Sequence, residues 1–137
     1  MPSPADDPRD ARRWLVYARA NLLHAEAGHA GGVLLEYLCF DAQQAAEKAL
    51  KAVLIVRNID VPRTHDIKEL LTLLVEAGGE APERLKEAVA LTSFAVQARY
   101  PGWGESLDDD DFAKALALAR PVVDWAAQII EASLPPE

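Results

Sequence analysis

The chain has 137 residues, 50% hydrophobic and 26% charged, a composition that builds one globular domain and not a disordered chain. Its 22 acidic and 14 basic residues leave a net charge of −8, which argues against broad nucleic-acid binding because such a surface repels phosphate backbones. A single cysteine, Cys39, rules out an internal disulfide, and no apolar run approaches the roughly 20 residues that span a bilayer, so a cytoplasmic protein outside the membrane is expected.

Residues 1–6 read as a disordered lead-in, acidic and proline-rich, unlike a signal peptide. Asp7-Pro8-Arg9-Asp10 then opens a first helix, with Asp7 as cap and Pro8 at the first helical position. That helix places Trp14, Tyr17 or Ala18, Leu22 and Ala25 on one face and ends near Gly28. The short Gly31-Gly32 turn sends a second helix, about Val33 to Arg57, back antiparallel. At ~100° per residue, Ala42, Ala45, Ala46, Ala49, Ala52, Val53 and Val56 share one arc, while Asp41, Gln43, Gln44, Glu47, Lys48 and Lys51 share the opposite one. Thr64 is expected to cap a third helix over His65–Ala77, with Ile67, Leu70, Leu71 and Leu74 inward. Pro82 opens a fourth through Leu85, Val89, Thr92, Val96 and Arg99, stopped by Pro101-Gly102. Asp108–Asp111 begins a last helix to about Ser133, with a kink expected at Pro121. The absence of strand-like alternation gives an all-α, up-down four-helix bundle with an additional helix, a single domain over 1–137.

Chemistry is harder to place. The polar arc of the second helix reads as a solvated face with Glu47 and Lys51 at i,i+4, or as one wall of a ligand site. His65 falls in the first turn of the third helix, and Arg99-Tyr100-Pro101-Gly102-Trp103 sets a guanidinium beside two rings, a set suited to phosphate and base. His24 and His29 lie about 140° apart around a helix and make no metal pair, and Asp108–Asp111 is an acidic first turn; neither a metal site nor a cofactor is expected.

Three segments, QQAAEKALKAVL at 43–54, Thr64-His65-Asp66-Ile67 and Ala98-Arg99-Tyr100-Pro101, resemble in order and separation the HEPN family of small helical domains, often linked to nucleotidyltransferases. The resemblance covers roughly residues 9–132 and implies a dimeric up-down bundle. Many members resemble RNase toxins with an Arg-x(4–6)-His motif, but here the positions after Arg99 reach Gly104, Glu105 and Ser106, and no histidine follows. An Arg-x4-His string occurs at Arg19–His24, in the first helix, which is not where that motif lies. No catalytic residue is therefore assigned, since RNA cleavage loses its acid–base partner. The other branch resembles the non-catalytic partner of a minimal nucleotidyltransferase, in a toxin–antitoxin-like setting. It implies Gln44, Lys48, Lys51, His65, Arg99 and Tyr100 as contacts to a nucleotide or nucleotide-bearing substrate, with Trp103 close by. The alternatives are a diverged endoribonuclease using Arg99 and His65 across a dimer cleft, and a structural homodimer without a ligand.

Overall fold

The computed structural model describes residues 8–79, 81–94 and 107–134. In chain order they form α1 (Pro8–Ala30), α2 (Leu35–Val56), α3 (Ile67–Glu76), a single-turn α4 (Glu83–Lys86) that tightens into a 3-10 segment (Glu87–Leu91), and α5 (Asp109–Ser133). The described residues contain no strand. The result is the expected all-α bundle, with α2 packed mainly between α1 and α5 and flanked by α3.

The helix ends are set by one device used three times. Gly32 (φ 79°), Asn58 (φ 59°) and Gly78 (φ 85°) each turn left-handed just past a helix. The amide two residues beyond the C-cap then returns to a last-turn carbonyl: Val33 N to Gly28 O, Ile59 N to Leu54 O, and Gly79 N to Leu74 O. The first of these stops makes the α1–α2 hairpin tight. Gly28 sits so close to α2 that a Cβ there would lie 2.6 Å from Leu38 Cδ2. At the other end of the chain Asp108 caps α5 in a reciprocal box with Asp111, whose backbone N–H, together with that of Asp110, holds the Asp108 carboxyl below the usual carboxylate range.

The alanines of α2 behave as their spacing requires. Ala42, Ala45, Ala46, Ala49 and Ala52 are all fully buried, letting neighbouring helices approach closely. Ile67, Leu70, Leu71 and Leu74 face inward from α3 as expected. The opposite arc of α2 departs from the solvated-face reading: Gln43, Glu47 and Lys51 are buried too, so the helix is enclosed on almost every side.

Of the two residues offered for the inward face of α1, Ala18 is buried and Tyr17 stands exposed with its hydroxyl on Arg13. Two other expectations are corrected. The α3 cap is Asp66, which accepts from Lys68 N, while Thr64 Oγ1 accepts from Asp66 N; His65 thus precedes the helix. The expected continuous fourth helix gives way to a 3-10 segment after Lys86, because Leu85, Ala88 and Leu91 recur every three residues and all three are buried. α5 is helical on both sides of Pro121, whose missing N–H leaves Ala117 O without its in-helix partner. The expected continuation through Val96 and Arg99 to Pro101-Gly102 lies outside the described residues, as does the lead-in at 1–6.

Candidate functional site

The polar arc of α2 is bonded along its whole length. Around the helix its residues come in the order Gln43, Glu47, Lys51, Gln44, Lys48, Asp41, spanning about 160°. One edge of this arc meets the chain that leads into α3. Glu47, 2% exposed, accepts at Oε1 from Gln43 Nε2 (3.1 Å) and His65 Nδ1 (2.8 Å), and at Oε2 from Lys51 Nζ (3.0 Å). Gln43 Nε2 also donates to the His65 carbonyl (3.1 Å), so both backbone and ring of His65 are fixed to α2. Lys51 is 7% exposed and lies 5.8 Å from the centre of the Trp14 ring. A buried carboxylate is tolerable only when paired and fully hydrogen-bonded, and these partners meet that condition.

The other edge meets α1. Asp41 accepts from Asn21 Nδ2 (3.0 Å) and from His24 Nδ1 (2.6 Å), while Asn21 Oδ1 accepts from Lys48 Nζ (2.9 Å). Gln44, half-buried, lies between the two edges. Its Nε2 donates to Gln43 Oε1 (2.8 Å), and its own Oε1 has no partner among the described residues. An ionised carboxylate only accepts, so both imidazoles carry hydrogen on Nδ1 and have Nε2 left over. The ring of His65 is 51% exposed and that of His24 is 68% exposed.

Of the residues singled out by the sequence, the structure therefore gathers Gln44, Lys51 and His65 around Glu47, and places Lys48 at the neighbouring cluster on Asn21. Lys51 lies beneath the surface, where its charge offsets Glu47. Arg99, Tyr100 and Trp103 lie outside the described residues. Glu47, Asn21, His24 and Asp41 were not among the expected contacts. Glu47 carries no signal for burial, because the segment that covers it is not helical. His24 and Asp41 do carry one: they are equidistant from the middle of the hairpin turn, between Gly32 and Val33, as are Trp14 and Lys51.

Elsewhere, an open groove of about 500 Å³ runs between α3 and residues 81–89, lined by Leu71, Val75, Ala81 and Val89 with Lys68 and Lys86 at its margins. It is apolar and does not include the carboxylate–imidazole pairs. No group of three or more His, Cys, Asp or Glu among the described residues is arranged to hold a metal ion, and no described helix is long and apolar enough to cross a membrane.

An up-and-down bundle whose central helix carries both the core and a hydrogen-bonded polar face defines a class of small all-α domain. The HEPN domain family matches residues 11–130, and the chain belongs to that family. It is similar in structure to TT1696 from Thermus thermophilus, with 34% identity, a TM-score of 0.75, and coverage of 91% of this chain and 98% of that one. It is also similar to ST0689, an archaeal HEPN homologue, at 25% identity and a TM-score of 0.70, over 88% of this chain and 97% of that one. No curated protein matches.

Proposed function

We propose that this HEPN domain is a non-catalytic module that binds a nucleotide or a nucleotide-bearing substrate on the polar face of α2, as the accessory subunit of a separate minimal nucleotidyltransferase. The observation that carries the reading is the fixed imidazole of His65 standing half-exposed on buried Glu47, whose Oε1 it shares with Gln44, an amide with no partner for its own oxygen among the described residues. A ring held by its Nδ1 offers a flat face for stacking, and a free amide oxygen accepts from an exocyclic base amine. Lys48 supplies positive charge, Lys51 holds Glu47 in place, and Arg99 and Tyr100 remain proposed contacts. Calorimetric titration with ATP tests the reading: heat of binding for the wild type and at least a tenfold weaker affinity for His65→Ala support it. No heat at millimolar ATP removes it.

A homodimer belongs to the same proposal. Val16, Ala20, Leu23, Ala27 and Ala30 recur on α1 at alternating intervals of four and three, and Val16 and Leu23 are 58% and 67% exposed. That is the spacing of a seam between two helices.

One observation favours a second reading. A carboxylate-oriented imidazole with a free Nε2 is the arrangement of a general base, as in a diverged endoribonuclease. RNA cleavage in EDTA that is lost in both His65→Ala and Arg99→Ala would establish it over the first.

A further inference from the structure

The cluster at the α1 edge of the polar arc is not accounted for by base recognition. His24, Asp41, Asn21 and Lys48 form one hydrogen-bonded chain across two helices, and its internal bonds leave a particular set of valences free. Both Asp41 oxygens are occupied, and its side chain is 13% exposed beneath an imidazole that is 68% exposed. The Asn21 amide has its orientation fixed from both ends. What is left over is two N–H groups of the Lys48 ammonium, whose direct partner is an amide oxygen and not a carboxylate, and Nε2 of His24. Lys51, by contrast, has its charge matched by Glu47 at 3.0 Å. Interhelical bridging alone would be served by Asn21, Asp41 and Lys48; it leaves the fixed, outward ring of His24 unexplained. Lys48 is one turn from Gln44 on the same face, and positions 41 to 48 span about 10 Å of helix axis, the scale of one nucleotide.

We infer that Lys48 and His24, positioned by Asn21 and Asp41, form a phosphate subsite of the α2 face, taking the phosphate group of a ligand whose base lies on Gln44 and His65. This rests on the nucleotide-binding reading above and assigns direction to it: phosphate toward α1, base toward the chain entering α3. Lys48 contributes a point charge, and His24 a ring held by Asp41 at Nδ1 with its exposed Nε2 edge turned toward the ligand.

The test uses three probes on the full chain by calorimetry: adenosine, ATP and inorganic tripolyphosphate. The wild type is expected to bind ATP at least tenfold tighter than adenosine and to bind tripolyphosphate. In Lys48→Gln the ATP-to-adenosine preference falls to near one and tripolyphosphate binding is lost; in His24→Gln the preference falls several-fold. Lys86→Gln, at the margin of the apolar groove, keeps it. His24 is exposed, so its variant folds, and thermal unfolding curves confirm that for each protein used. ATP binding with the preference unchanged in both Lys48→Gln and His24→Gln overturns the subsite and leaves the nucleotide reading standing. Tripolyphosphate binding that is lost in those variants, with no adenosine binding, supports the subsite and removes base recognition. No heat with any probe overturns both.

Discussion

Removing the Glu47 carboxylate should be among the most damaging single changes available to this bundle. Glu47→Leu keeps an apolar side chain of similar reach but deletes the acceptor of Gln43, His65 and Lys51 at once. His65 is half-exposed and regains water; Lys51, 7% exposed and against Trp14, does not. Breaking a buried ion pair from one side costs about 3–5 kcal/mol, a large share of the roughly 5–15 kcal/mol that holds a domain together. With a urea slope of about 2 kcal/mol per molar, the unfolding midpoint followed by tryptophan fluorescence should drop by about 2 M. The double variant Glu47→Leu/Lys51→Met removes both charges, and replacing a buried pair by packed apolar groups is close to neutral. It should therefore recover most of the loss, a coupling of about 2 kcal/mol or more. A single-variant cost below about 1 kcal/mol, or a double variant as unstable as Glu47→Leu, would show that the pair is not enclosed as described.

Three further outcomes are expected. Gly28→Ala gains about 1 kcal/mol of helix propensity but drives a methyl into Leu38, fully buried, at a cost of about 1–3 kcal/mol. It should be net destabilising by urea titration, whereas Gly31→Ala, whose Cβ meets nothing closer than 3.5 Å, stays within about 0.5 kcal/mol of wild type. Burial, helped by Asp111 and Glu36, pushes the Cys39 thiol up to about 12, so a disulfide reagent at pH 8 should leave the native protein untouched and label it only in denaturant. Asp108 has a lowered folded-state pKa, so its contribution is present above the unfolded carboxylate value of about 3.9 and is lost as pH falls through the lower folded one. The melting-temperature gap between wild type and Asp108→Ala should accordingly be open at pH 6 and close in strong acid.

Much of the bundle was legible in the chain itself. Periodic alanines and leucines located α1, α2, α3 and α5, and Gly-Gly pairs located two of the turns, because those signals are local. The fourth helix departs from expectation because Leu85, Ala88 and Leu91 fit a three-residue repeat as well as a helical face, and only packing chooses between them. The site was legible in composition but not in burial. Gln43, Glu47 and Lys51 look like a wetted face until the chain beyond Asn58 brings His65 onto Gln43 and Glu47, and α1 brings Trp14 over Lys51. Whether a polar side chain is wet depends on what lies over it, and that is set by segments outside the helix itself. His24 and Asp41 were within reach, since the register of a tight hairpin pairs positions equidistant from its turn; spacing along one helix does not reveal such pairs.

The enclosure of α2 has a consequence for anyone mapping this protein by mutation. One helix serves as both keel and proposed workbench, so a tolerance scan along it will return a nearly unbroken run of damaging positions, with the proposed contacts and the scaffolding mixed together. The separable information sits at the rim, where His24 and His65 reach in from neighbouring segments and can be altered without opening the interior. Assays that begin from those two histidines test the proposed recognition apart from the architecture; assays that begin from the alanines do not.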